Sequence, residues 1–234
     1  MKYIKFFLLS SFLASFSANA LLEVNIIKSK EDSFPIVIAP FEMIGNFKED
    51  SDIAKIIRKN LNMSGQFDAK STNQLTTGPI DFDFYLKHKK DAIVLGKIRQ
   101  ISSNVNHAEI YIYDVLTQKP LYRNKIAFTN GALRKTAHAL SDVIYYALLG
   151  QKGSFNTKLS FVTVNEEKNG KRKYRLVISD WDGKNQQVII GSDDPILSPA
   201  WSADQRKIAY VSFKNNRSDV FVKYVFQNTN PIKL

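Results

Sequence analysis

The sequence predicts two unlike halves: an N-terminal domain of the α+β or α/β class, followed by all-β propeller blades that are too few to close a ring. Three observations predict this. Up to about residue 150, short apolar runs alternate with amphipathic helices. From Ser154 onward the helical period disappears, and short alternating runs remain. These runs repeat at a spacing of about 45 to 50 residues, which is the period of a four-stranded propeller blade.

Length and composition exclude several classes of protein. A chain of 234 residues is long enough for one or two domains with a buried core. Because it has no cysteine, it cannot hold a disulfide, an iron–sulfur cluster, a thiol nucleophile or a cysteine zinc site. Lys and Arg number 33 against 22 Asp and Glu, giving a formal net charge of +11. That charge favours nucleic acid, anionic lipid or an acidic protein as a partner.

Residues 1–20 have the pattern of a cleaved bacterial export signal. Lys2 and Lys5 precede an apolar run from Phe6 to Phe16, and the small residues at 18–20 suit a signal peptidase. The run is shorter than the roughly 20 residues that span a bilayer, so a membrane anchor is the less favoured alternative. We therefore expect cleavage near Ala20 and a periplasmic mature chain without a membrane span or a nucleic-acid partner.

The mature chain begins with a predicted strand and an amphipathic helix. The apolar, β-branched run Phe34–Phe41 predicts a buried strand. A helix follows, with Asp50 or Ser51 as its expected cap and Ser64-Gly65 as its stop. Its apolar face consists of Ile53, Ile56, Ile57 and Leu61.

A short helix, three strands and a long helix complete the predicted α/β domain over residues 21–152. The short helix is expected near 82–87, and the strands over Ala92–Ile98, His107–Leu116 and Leu121–Phe128, the last two as a hairpin. The long helix has Asn130 as its expected cap and Gly150 as its stop. Its apolar positions are Leu133, Ala137, Leu140, Ile144 and Leu148.

Residues 153–234 are expected to form the first blade and part of the second blade of a β-propeller. Asn169-Gly170 and Asp182-Gly183 are typical hairpin turns. The segment SFVTV at Ser160 aligns with AYVSF at Ala209, and RLVISD at Arg175 aligns with FVKYV further on. The predicted strands are Leu159–Val164, Tyr174–Ser179, Gln187–Ile190, Lys207–Phe213 and Val220–Phe226.

The segment from Tyr174 to Val220, YRLVISDWDGKNQQVIIGSDDPILSPAWSADQRKIAYVSFKNNRSDV, resembles the first propeller blade of the TolB family. The resemblance continues upstream in PIVIAPF, DIAKIIRKNLNMSGQF, DAIVLGKI and LLGQKGSFNTKLSFV, and so covers essentially the whole mature chain. The chain departs from the family at the turn 202–205, which reads SADQ instead of the usual SPDG. It also departs in length, since a six-bladed propeller would need roughly 180 more residues.

The resemblance implies a scaffold that has neither catalytic activity nor a cofactor. In TolB proteins the N-terminal domain and the mature N-terminus contact TolA, the inner-membrane partner, and the propeller binds the lipoprotein Pal. Together they support outer-membrane invagination at cell division and envelope integrity. The resemblance places the TolA-binding residues at Leu22, Glu23, Val24, Asn25, Ile26 and Ile27. An ordinary edge strand of its own domain is the alternative for this segment.

The usual catalytic and metal-binding motifs are missing from the sequence. It has no G-x-S-x-G, H-E-x-x-H or G-x-x-x-x-G-K pattern. His88 lies among lysines, His107 opens a strand, and His138 is expected on the polar face of the long helix, so no metal site is expected. The segment Asp180–Gly183 lacks the further acidic ligands of a calcium loop, and a hairpin turn is the favoured interpretation.

Two alternatives to the scaffold remain open from the sequence. One is the front end of a propeller-containing hydrolase without its catalytic domain, and the other is a frameshifted remnant without a stable propeller. The α/β domain ahead of the propeller favours the scaffold over the hydrolase. Fewer than two blades cannot build a propeller face, so Pal binding is expected to be weakened in this chain.

Overall fold

The computed structural model describes residues 33–47, 52–73 and 78–234. Within them, an N-terminal unit (34–149) and a C-terminal unit (158–233) are joined by a linker (150–157). The expected signal peptide, residues 1–20, and the expected TolA-binding segment Leu22–Ile27 lie outside the described residues.

The N-terminal unit is built on a mixed six-stranded sheet. Its strands are β1 (Phe34–Ile38), β2 (Glu42–Ile44), β3 (Phe67–Ser71), β4 (Ala92–Gln100), β5 (Val105–Asp114) and β6 (Pro120–Thr129). The strand order is β3-β1-β4-β5-β6. Strand β2 lies off this order and pairs with β4, on the same edge of β4 as β1. Strand β1 runs parallel to both neighbours, whereas β4, β5 and β6 are antiparallel. The predicted strands at β1 and β4 and the predicted β5–β6 hairpin are confirmed.

Three helices accompany this sheet: α1 (Ile53–Met63), α2 (Phe82–Lys87) and α3 (Leu133–Leu149). Helices α1 and α3 pack against each other, and their apolar faces share one buried cluster with the sheet. All three helices were predicted, α1 and α3 because their apolar positions recur at helical spacing, and α2 as a short helix near 82–87. The large side chains at the centre of this cluster are Ile36, Ile57, Leu61, Ile110, Leu140 and Ile144.

The two expected N-caps are wrong, although the expected stops are right. Helix α1 is capped by Asp52, whose Oδ1 accepts from the Lys55 N–H at 2.9 Å, and not by Asp50 or Ser51. At α3 the cap position is Ala132, because the Asn130 side chain is held instead by other loop groups. Helix α3 ends as predicted at Gly150, whose φ of 68° is left-handed.

The C-terminal unit consists of two small antiparallel sheets that share one core. The first contains β7 (Lys158–Glu166), β8 (Arg172–Asp180) and β9 (Gln187–Ser192). The second contains β10 (Ile196–Trp201), β11 (Lys207–Ser212), β12 (Asp219–Tyr224) and β13 (Ile232–Lys233). The two segments aligned in the sequence, SFVTV and AYVSF, correspond to β7 and β11, which pair with β8 and β12 respectively. The predicted mixed N-terminal domain followed by an incomplete all-β part is therefore confirmed.

Strands β2, β3, β10 and the two-residue β13 were not predicted from the sequence. Strand β10 has a register shift between Leu197 and Ala200 and contains Ser198 at a φ of 50°. Strand β3 has only two buried residues, Phe67 and Ala69. In the described ranges, no helix combines the length and the apolar character needed to cross a bilayer.

Candidate functional site

The contact between the two units is formed by the turn after β8, which faces helices α1 and α3. The turn closes through hydrogen bonds from Gly183 N to Asp180 O at 2.9 Å and from Asp180 N to Lys184 O at 2.8 Å. Gly183 has a φ of 77°, as the predicted Asp-Gly hairpin turn requires. We call the polar side chains that meet here the junction cluster: Asn60, Arg134, His138, Lys158, Asp180, Trp181 and Asp182.

Trp181 connects the C-terminal unit to a buried pair on the two helices. Its indole Nε1–H lies 3.2 Å from both Asn60 Oδ1 and His138 Nδ1. The Asn60 amide donates to His138 Nδ1 at 2.9 Å and to Ser141 Oγ at 2.8 Å. Asn60 is fully buried and His138 is 3% exposed, so this network is shielded from water. Such a buried network orients its members because each unmade hydrogen bond would be costly.

The hydrogen bonds to His138 determine which ring nitrogen carries the proton. Since Nδ1 receives N–H groups from Asn60 and Trp181, it acts as an acceptor, and the neutral ring is protonated at Nε2. Nε2 has no hydrogen-bond partner among the described residues and lies 3.9 Å from Asp180 Oδ2. The predicted place of His138 on the polar face of α3 agrees with its polar neighbours, but the residue is buried because the turn after β8 covers that face.

Arg134 and Lys158 neutralise the two carboxylates of the turn. Arg134 Nε lies 3.3 Å from Asp180 Oδ2, and its terminal nitrogen is hydrogen-bonded to Asp182. Lys158 Nζ lies 2.6 Å from Asp180 Oδ1, and Asn185 donates to Oδ2 of the same carboxylate at 2.6 Å. The Asp182 side chain is 2% exposed, so most of its charge compensation comes from protein groups.

Burial and neighbouring charges shift the pKa values of these groups in opposite directions. Burial alone would raise the pKa of Asp180, but Lys158 outweighs it, and the pKa lies below its usual value. Arg134 lowers the pKa of Asp182 in the same way, again against burial. Burial, helped by the Arg134 charge, lowers the pKa of His138 despite the two aspartates. The cluster at neutral pH therefore combines a neutral imidazole with paired carboxylates.

The linker is packed against α3 beside this cluster. Asp142 accepts from the Phe155 N–H at 2.8 Å and from the Asn156 N–H at 3.1 Å. The Phe155 ring is 3% exposed and meets the ring of Trp181 edge to face, with centroids 5.0 Å apart. At Gly153 a Cβ would lie 2.4 Å from Asp142 Oδ1, so only glycine fits there. The linker thus fixes the units relative to each other.

His138, Asp180 and Asp182 resemble a metal-binding set in their spacing alone. One ligand atom from each lies within 4.8 Å of the others. However, His138 Nε2 carries a proton in the tautomer described above, and both carboxylates are already paired with cationic side chains. The donor set therefore suits a hydrogen-bonded contact between the units better than a divalent ion. Sequence reasoning missed this cluster because side chains that are hydrogen-bonded in it, such as Asn60 and Trp181, lie as far as 121 residues apart.

The other residues singled out in the sequence lie apart from the junction. His88 is the C-cap residue of α2, where its ring Nδ1 lies 2.7 Å from Phe84 O, and His107 is in β5 opposite Arg99. The lysine clusters at 87–90 and 168–173 are mostly exposed, as expected for solvated loops. The expected TolA-binding segment Leu22–Ile27 lies outside the described residues.

Comparisons with known proteins match both units. A family model of the TolB amino-terminal domain matches residues 22–121, and a model of the TolB beta propeller domain matches residues 145–232. The Tol-Pal system protein TolB of Ruthia magnifica is 49% identical over 213 residues, covering 91% of this chain and 50% of that protein. The protein of the same name from Vesicomyosocius okutanii is 47% identical over 207 residues, covering 88% and 49%.

A solved structure agrees with these sequence relatives. The crystal structure of TolB from Acinetobacter baumannii is similar with a TM-score of 0.74 and 30% sequence identity. The match covers 86% of this chain and 49% of that one. The chain thus spans about half the length of the curated relatives it matches.

Proposed function

The chain belongs to the TolB family of Tol-Pal system proteins, and from this premise we propose that it is a non-enzymatic periplasmic scaffold linking TolA to Pal. In that role it supports outer-membrane invagination during cell division and envelope integrity. We propose 1–20 as the signal peptide, 21–152 as the N-terminal domain and 153–234 as the propeller portion. The observation that carries the proposal is the TolB match in both units, in one order, over most of the chain.

We assign TolA binding to the segment from Leu22 to Ile27. Its alternating side chains suit an extended strand that adds to a sheet edge of the partner. The family match to the amino-terminal domain begins at residue 22, so the segment is part of the matched region. Only six residues, 28–33, separate the segment from β1 in the sequence.

We assign Pal binding to the propeller portion, and we expect it to be weak in this chain. The described C-terminal unit holds two small sheets of three and four strands. A propeller face is formed by several blades around a central channel, so these two sheets would supply only part of it.

The junction cluster supports a scaffold role because it joins the N-terminal unit to the C-terminal unit, to which Pal binding is assigned, through specific side-chain contacts. Asn60 and His138 belong to the N-terminal unit and Trp181 to the C-terminal unit, and a single hydrogen-bond network joins them. A protein that must bind two partners at the same time benefits from a defined geometry between its two binding sites.

The direct test is titration of the TolA C-terminal domain into two forms of the chain, one beginning at Leu21 and one beginning at Lys28. We expect binding by the first form and its loss in the second. Circular dichroism of the two forms should agree, because the apolar core lies within the described units. A matched pair of variants separates sequence from length: V24D/I26D should abolish binding, and N25S should retain it. Equal affinity of the Leu21 and Lys28 forms for TolA would contradict the assignment of this segment, and tight Pal binding by either form would contradict the expected weak Pal binding.

A further inference from the structure

A pocket of about 330 Å³ lies at one end of the N-terminal sheet, away from the junction cluster. It is bounded by the ends of β4 and β6, the start of β5 and the first residue of α3. None of its lining residues is acidic, basic or a histidine. Three amide side chains from Gln100, Asn106 and Asn130 and two phenyl rings from Phe47 and Phe128 form most of the wall. Among the described residues, the site therefore has no fixed charge and offers both polar and apolar surface.

Asn106 is the most buried of the polar side chains that line the pocket. The residue is 2% exposed, and its Nδ2 donates to Asn130 Oδ1 at 2.8 Å. Asn130 in turn donates to the Ser103 carbonyl oxygen at 2.8 Å, so the orientation of both amides is fixed. This leaves Asn106 Oδ1 buried without a hydrogen-bond partner among the described residues. Folded proteins rarely leave such an acceptor unpaired, so the pocket calls for a ligand that donates a hydrogen bond.

The start of α3 borders the same pocket. Leu133, the first residue of the helix, lines it, and the cap residue Ala132 provides no side-chain acceptor for the first turn. The amide N–H groups of a first helical turn have no partner within the helix, so they can donate to a ligand oxygen. A helix start by itself favours an anion, but the Asn106 oxygen would repel one. A ligand that suits both the Asn106 oxygen and the start of α3 is neutral and carries both hydrogen-bond donors and acceptors.

The two phenyl rings and the volume of the pocket further restrict the class of ligand that it can bind. Phe47 and Phe128 offer apolar faces, against which the C–H face of a ring can pack while its hydroxyl groups reach the amides. Small-molecule pockets range over about 300–1,000 Å³, so this one is suited to a single ring rather than a chain of them. We propose that the pocket binds one neutral sugar ring, a function separate from the contacts with TolA and Pal.

The test uses the full chain and N-acetylglucosamine as the probe, followed by amide NMR. We expect saturable shifts at the Leu133 backbone amide and the Asn106 side-chain amide by about 10 mM, where a site with a Kd of about 1 mM is mostly filled. The matched variants are S103W and S102W, both at exposed positions, of which only Ser103 lines the pocket. We expect S103W to weaken binding at least tenfold and S102W to leave it unchanged.

Inorganic phosphate is the second probe, because it separates a sugar site from an anion site at the helix start. The proposal predicts that phosphate produces no shift at the Asn106 side-chain amide. It is overturned by phosphate binding more tightly than the sugar, by the absence of saturable sugar shifts, or by equal effects of the two tryptophan variants. Thermal melting of both variants checks that the fold is retained.

Discussion

Replacing Arg134 with methionine tests whether the junction cluster stabilises the C-terminal unit. Met has a similar length but no charge, so Asp180 and Asp182 lose the cation that lies between them. Asp180 keeps Lys158 and Asn185, whereas Asp182 keeps only the Lys184 N–H at 3.2 Å and Lys59 Nζ at 3.9 Å. The damage should therefore fall mainly on Asp182, whose side chain is 2% exposed.

The expected change in the free energy of unfolding follows from the loss of the main cationic partner of Asp182. Leaving one member of a buried ion pair without its partner costs about 3–5 kcal/mol. The Arg134 side chain is 25% exposed and water can reach part of the cluster, so we expect the free energy of unfolding to fall by about 2–3 kcal/mol. With a urea dependence of about 2–3 kcal/mol per molar, the midpoint should move down by about 1 M.

The assay is urea unfolding followed by tryptophan fluorescence. Both tryptophans of the chain, Trp181 and Trp201, lie in the C-terminal unit, so the emission reports on this unit and on the junction. The matched control is K135M, which removes an exposed positive charge from the next position of α3. Adding D182N to R134M should recover part of the loss, because it removes the unpaired charge. The reasoning is refuted if R134M and K135M differ by less than about 0.5 kcal/mol, the usual scatter for surface substitutions.

Two further predictions concern the imidazole and the linker. The lowered pKa of His138 means that the native state binds fewer protons than the unfolded state between that pKa and the ordinary 6.5, so stability falls as pH drops from about 7 through this window. Urea midpoints measured from pH 7.5 to 5 should show this decline, which H138Q should flatten; an unchanged slope in the variant would count against it. G153A should lower the free energy of unfolding by about 1–3 kcal/mol, because its Cβ would meet Asp142. Its control is G191A, where a Cβ meets nothing within 4 Å, and equal thermal shifts of the two variants would contradict the packed linker.

The sequence predicts those elements of the fold whose signal is local. The apolar repeat from Leu133 to Ile144 predicts α3, and the alternating runs on either side of 117–120 predict the β5–β6 hairpin. The aligned repeats predict that β7 and β11 correspond, and each is followed in its sheet by the next strand of the chain, although β11 also pairs with β10 whereas β7 is an edge strand. Strand β3 escaped prediction because it is short and half polar, and its parallel pairing with β1 supplies much of its stabilisation. Strand β10 escaped because Pro199 and the left-handed Ser198 interrupt its pattern.

The junction cluster could not be predicted, because burial of its members comes from contact between distant parts of the chain. Helix α3 is buried on one side by the sheet and on another by the turn after β8. The apolar face that is visible in the sequence accounts for only the first of these contacts. His138 therefore has the spacing of a surface residue and the environment of a core residue. The Asp-Gly pair was correctly interpreted as a turn, but its sequence carries no information about the helix that its carboxylates face.

The shared hydrogen bonds of Asn60, His138 and Trp181 have a consequence for recombination between related genes. The three residues are encoded far apart, and the linker separates the first two from the third. A crossover within the linker would unite a histidine from one parent with a turn from another. Such hybrids would keep both folded units and the Asn60 donor, and yet lose the indole donor to the imidazole whenever the second parent lacks a tryptophan at position 181. We therefore expect these positions to be inherited as a set. Hybrids between distant relatives should be most stable when residues 60, 138 and 181 all come from the same parent.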